Sequence, residues 1–81
     1  MKTYADVCHV LGIHPAIRDV TFQFDIGRVP GCWPHLSVYM RRPGESVGSH
    51  RYFQNRRTLR DCMRERDHLA AILRDAGHIV E

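Results

Sequence analysis

Only a few residues in this chain have types and spacings suited to chemistry. Cys32 and His35, three apart in PGCWPH, have the spacing of a zinc knuckle, and Cys8 with His14 and Cys62 with His68 are the other thiol–imidazole pairings. A structural zinc needs four convergent ligands, and no second close pair exists. Cys8 and Cys62 also fall on apolar stripes, where a thiol is usually a small core side chain. The sequence therefore implies no metal and no cofactor. His50, in GSHRYF, is the candidate general base, with Arg51 and Tyr52 beside it. His9, His14, His68 and His78 read as surface or helix-end residues. No paired carboxylates, Ser/His/Asp set, phosphate-binding loop or dinucleotide glycine pattern is present.

Two features suit binding better than catalysis. The first is GRVPGCWPH, residues 27–35, which is longer than the two to five residues usual between hairpin strands. Its two prolines lower the entropy of the free loop, and Trp33 and Arg28 are residue types enriched among interface anchors. The plainer reading is that Trp33 folds back to close the end of the core. The second is arginine, which supplies every basic residue except Lys2. Between positions 41 and 60, Arg41, Arg42, Arg51, Arg56, Arg57 and Arg60 stand against Glu45 alone, in a chain whose net charge is +3. Planar guanidinium groups suit carboxylates and phosphates, so such a patch would attract acidic protein surfaces, nucleic acid or a ribonucleoprotein. Arg56, Arg57, Arg60 and Arg64 gather where a helix begins, against the helix dipole. They read either as a solvated face with pairs such as Arg57–Asp61 or as an anion-binding edge. The candidate partner-binding residues are Arg28, Trp33, His35, Arg41, Arg42, Arg51, Arg56, Arg57, Arg60 and Arg64.

These residues need elements to hold them. Tyr4, Val7, Cys8 and Leu11 recur at helical spacing, with Thr3 as cap, Asp6 near the positive end and Gly12 as stop. The period then switches to two: Val20, Phe22, Phe24 and Ile26 mark one strand, and Leu36, Val38 and Met40 a second, closed by Pro43-Gly44. A third strand over 49–54 puts His50 and Tyr52 on one face and Arg51 and Phe53 on the other. Leu59, Cys62, Met63, Leu69, Ala70, Leu73 and Ala76 predict a helix over 58–76, capped by Thr58 and stopped by Gly77. The expected fold is a single α+β domain over 1–81, ordered α-β-β-β-α: a three-stranded antiparallel sheet with two helices packed on one face. Tyr39 and Tyr52, on the open sheet face, would support a homodimer.

Length and composition agree. Eighty-one residues make one domain, which buries only about 60% of its unfolded surface. A content of 43% hydrophobic and 26% charged residues excludes disorder and collagen-like repeats. The longest charge-free stretch, 29–40, is too short and too broken to span a bilayer, so no membrane partner is expected. Met1-Lys2-Thr3-Tyr4-Ala5-Asp6 has an acid where a signal peptide would begin its apolar run. Three widely spaced cysteines suit a reducing compartment, so a cytoplasmic location is expected.

Three resemblances follow. Gly48-Ser49-His50 resembles the triplet of the HicA-type messenger-RNA interferase toxins, and LAAILRDAGH, residues 69–78, is similar to their final helix. That resemblance implies a small ribonuclease using His50. The α-β-β-β-α order resembles that of double-stranded-RNA-binding domains over nearly the whole chain. It implies RNA held by the first helix, by the loop with Arg28 and His35, and by Arg56, Arg57 and Arg60 at the last helix. Size, compartment and the lack of a catalytic set resemble small phage and mobile-element inhibitors, anti-CRISPR proteins among them. That implies a non-catalytic interaction protein that occludes a bacterial protein or ribonucleoprotein complex, which is the leading expectation.

Overall fold

The computed structural model describes residues 3–81. The first helix, α1 (Tyr4–Leu11), starts on a reciprocal cap: Thr3 Oγ1 accepts from the Asp6 amide, and the Asp6 carboxylate accepts from the Thr3 amide. It ends at Gly12, whose φ of 66° is the left-handed conformation that favours glycine. Three strands follow, β1 (Thr21–Gly27), β2 (His35–Arg41) and β3 (Ser49–Asn55). Then come α2 (Leu59–Asp75), capped by Thr58, and a two-residue strand, β4 (Ile79–Val80).

The sheet has four strands in the order β3-β2-β1-β4 and is mixed: β1–β2 and β2–β3 are antiparallel, whereas β4 runs parallel to β1. This corrects the expected three-stranded antiparallel sheet. The extra strand has only two residues, too short for a period to show. It is held by pairing of Thr21 with Ile79 and Phe22 with Val80, and the Glu81 amide donates to Phe22 O at 2.9 Å. Both helices contact one another and the sheet from one side. Phe22, Leu36, Val38 and Met40 from the sheet meet Val7, Leu11, Cys62, Leu69 and Leu73 from the helices there.

Alternation places Phe22, Phe24 and Ile26 of β1 opposite Met40, Val38 and Leu36 of β2, all on the helix side. The third strand departs from simple alternation. Val38 pairs with Tyr52 but Tyr39 pairs with His50, so Arg51 is an extra residue in a bulge. The bulge turns His50 and Phe53 to the open face and leaves Tyr52 toward α2. The expected faces of β3 are therefore wrong, and Tyr52 leaves the open surface that was to support a homodimer.

The C-terminal end closes on a buried histidine. His78 is 7% exposed; its Nε2 lies 2.7 Å from Tyr4 Oη, and its ring meets Phe22 edge-on at 5.1 Å. It is a core residue, not the surface residue expected from its place after a helix. Burial, helped by the Arg18 charge, holds its pKa below the usual 6.5. The unfolded chain therefore takes up the proton first on acidification. Stability is complete above the unfolded pKa and is lost as pH falls below about 6.5 toward the folded one. Thermal melts should show this loss in the wild type and a flatter profile in His78→Phe. Equal acid sensitivity in both would contradict it.

Candidate binding surface

The strands leave only residues 28–34 between β1 and β2, and those residues are ordered by their own chemistry. The Cys32 amide donates to Val29 O at 2.9 Å. With Pro30 and Gly31 at the centre and a Gly31 φ of 82°, this is a type II turn. The loop is then tied to the other side of the sheet. Asn55 Nδ2 donates to Trp33 O at 3.2 Å, and the Arg56 amide donates to Pro34 O at 2.9 Å. Pro34 is fully buried and Trp33 is 58% exposed. The proline closes this end of the core, and the indole is held outward beside it.

The same two hydrogen bonds bring the loop against the start of α2, three residues beyond Arg56. Arg60 and Arg64 lie on the side of α2 away from its buried residues, Cys62, Leu69, Ala70 and Leu73, and Arg57 precedes the cap residue Thr58. Arg28, Arg57, Arg60 and Arg64 make no ion pair with the described residues. An Arg57–Asp61 pair, offered by one of the two readings of this cluster, does not form among them. Leu59 and Met63, expected in the core, are 40% and 45% exposed. Helix length explains this. At 1.5 Å per residue α1 spans about 12 Å and α2 about 25 Å. The start of α1 lies beside the end of α2, where Tyr4, Ile72, Asp75 and Ala76 line one cleft, so α1 does not reach the first turns of α2.

The remaining candidates go elsewhere. Arg41 and Arg42 lie at the far end of β2, about 20 Å from His35 by strand rise. Arg41 pairs there with Glu81 at 2.9 Å. Arg51, in the bulge, donates through Nη1 to Gly12 O at 3.3 Å on the helix side. Arg56 is spent internally on Glu65, which also accepts from Tyr52 Oη at 2.9 Å. The arginines of 41–60 therefore form no single patch. His35 sits on the open sheet face, its ring so close over Gly27 that a Cβ there would come within 2.9 Å of it. A side chain at position 27 would push the His35 ring aside.

His50 lies exposed on edge strand β3, its ring 5.1 Å from Tyr39 and 6.3 Å from Phe53. Burial and the nearby Glu65 push the Cys62 thiol up, which disfavours the nucleophilic thiolate. Among the described residues, no group of three or more His, Cys, Asp or Glu side chains is placed to hold a metal. No helix among them is long and apolar enough to cross a membrane. No protein-family model, curated protein or solved structure matches the chain.

The Tyr52–Glu65–Arg56 cluster is the polar strut behind this surface. Glu65 is largely buried, and its Oε1 has no hydrogen-bond partner among the described residues. Burial first, then the bond to Glu65, pushes Tyr52 up to about 12. Absorbance titration should show a tyrosinate step near that pH that is absent in Tyr52→Phe and moves down in Glu65→Gln. A Tyr52 step at the ordinary tyrosine pH would show that the strut is not formed.

Proposed function

We propose that this chain is a non-catalytic binding protein that docks by its Trp33 end on an acidic, partly apolar patch of a protein or ribonucleoprotein assembly and acts by occlusion. The observation that carries this reading is the outward indole, held on a loop tied to an arginine-bearing helix start. Trp and Arg are the side chains that most often dominate interface energetics. Leu59 and Met63 add apolar area beside them. A loop fixed before binding loses little entropy on docking, so more of its contact energy appears as affinity. The partner class fits the charge: the cations here have no internal carboxylate to satisfy them. This mode of action is that of the small phage and mobile-element inhibitors, anti-CRISPR proteins among them, that the sequence resembles in size.

A second reading rests on one further observation. The hydrogen bond from the Arg56 amide to Pro34 O brings the β1–β2 loop against the start of the last helix. This is the juxtaposition by which double-stranded-RNA-binding domains hold a duplex. Arg57 and Arg60, rather than the internally paired Arg56, would carry it.

Affinity capture from the native host separates the two. If the first reading holds, the captured component survives ribonuclease and is lost with Trp33→Ala and with Arg57→Glu/Arg60→Glu, while both variants melt near the wild-type temperature. Capture that persists with Trp33→Ala would contradict it. Duplex-RNA binding that falls steeply with salt and disappears with Arg57→Glu/Arg60→Glu would favour the second.

A further inference from the structure

The outer edge of β1 is only partly used. The Arg56 amide donates to Pro34 O, so the even-numbered residues Leu36 and Val38 of β2 also turn their backbone groups to β3. His35, Ser37 and Tyr39 turn theirs to Gly27, Asp25 and Gln23 of β1. The backbone groups of Phe22, Phe24 and Ile26 therefore point away from β2, to the outer edge. There β4 meets Phe22, whose carbonyl accepts from the Glu81 amide, and goes no further. The N–H and C=O of Phe24 and Ile26 have no partner among the described residues. Apolar side chains stand beside these groups. Phe24 and Ile26 are half-buried, on the helix side of the sheet. On α2, Glu65 bonds Tyr52 of β3, and Ile72 lines a cleft with Tyr4 of α1. Helical spacing puts the exposed Leu59 and Met63 on the other side of α2, toward β1.

We propose that an extended segment of a partner protein adds to this edge as a fifth strand, antiparallel to β1. Two of its side chains, both apolar, lie on the helix side by Leu59 and Met63, and a basic one between them lies opposite Asp25. The inference rests on the protein-docking reading above and names the element that the partner supplies. Unpaired main-chain donors and acceptors select the backbone of another chain, and alternation then fixes which of its side chains face which way. The first part of the same edge already holds a strand, β4. Charge gives the middle residue its sign. Asp25 is exposed and makes no ion pair with the described residues, whereas the neighbouring Arg66 and Glu81 are paired with Asp67 and Arg41. Charge also disfavours a second copy of this chain. Two β1 edges pairing with Phe24 opposite Ile26 put Asp25 opposite Asp25, and sliding the register runs either into β4 or out of the strand. The other edge of the sheet, β3, is a poorer template because the bulge at Arg51 interrupts it.

Amide hydrogen exchange followed by NMR tests it, with the capped peptide Thr-Thr-Val-Lys-Val-Thr-Thr as probe. In the free protein the Phe24 and Ile26 amides should exchange much faster than those of Gln23 and Asp25, which bond β2. Added peptide should slow both. The same peptide N-methylated at its two valines keeps every side chain but loses the bonding amides, and it should protect neither. Asp25→Lys should weaken the lysine peptide roughly two- to tenfold, and a peptide with glutamate in place of lysine should recover the loss. Leu59→Ser/Met63→Ser should weaken both peptides. Slow exchange of Phe24 and Ile26 in the free protein, or no protection by the peptide, overturns the proposal. So does equal protection by the N-methylated peptide. Protection that appears without peptide as the protein is concentrated would put a second copy on the edge and also overturn it. Capture of a host partner that is lost with Trp33→Ala but survives folded Asp25→Lys and Leu59→Ser/Met63→Ser would keep the docking reading and overturn strand addition. Peptide protection together with capture that survives Trp33→Ala would do the reverse.

Discussion

Everything exposed in this protein follows from a shortage of helix. Four strands make a sheet with two faces, and the chain supplies one long helix and one short one, both packed on the same side. Leu36, Val38 and Met40 of the central strand are sealed by that layer, while His35, Ser37 and Tyr39 of the same strand face the other way. The short helix also leaves the first turns of the long one bare. Two surfaces result: an uncovered sheet face bearing rings, and a helix start bearing arginines, Leu59 and Met63. A small domain has too little apolar material to cover both faces of such a sheet.

The hydrogen bonds from Asn55 and Arg56 to Trp33 O and Pro34 O give the second surface its shape. They use backbone carbonyls of the loop, so the side chain of Trp33 remains free while its position is fixed. Pro34 takes the place in the core that an inward Trp33 would have filled. Glu65 draws Arg56 and Tyr52 together on the helix side, which anchors the turn from β3 into α2 and leaves Arg57, Arg60 and Arg64 unsatisfied by the described residues.

Much of the fold was legible in the sequence because it rests on periods and caps. Thr3 with Asp6, the left-handed Gly12, the alternations of β1 and β2, and the long helix after Thr58 are all local signals. What was hidden depended on contacts distant in sequence. Ile79–Val80 forms a strand only because the edge of β1 is free to receive it. The bulge at Arg51 reverses half of β3 without any glycine or proline to mark it. The outward Trp33 could not be told from an inward one until Pro34 was seen to close the core. The arginine cluster was legible as charge but not as position: Arg41 and Arg42 lie at the opposite end from Arg57 and Arg60, and Arg51 and Arg56 are committed to Gly12 O and Glu65. The open-face grouping of His35, Tyr39, His50 and Phe53 was missed because its members come from two strands whose register a period does not reveal.

Trp33 is the only tryptophan, so its intrinsic fluorescence reports directly on the arrangement from which the docking surface is built. In the free folded protein it should emit near the maximum of indole in water and be quenched readily by acrylamide. A blue-shifted emission shielded from acrylamide until denaturant is added would place the indole in the interior and contradict the account.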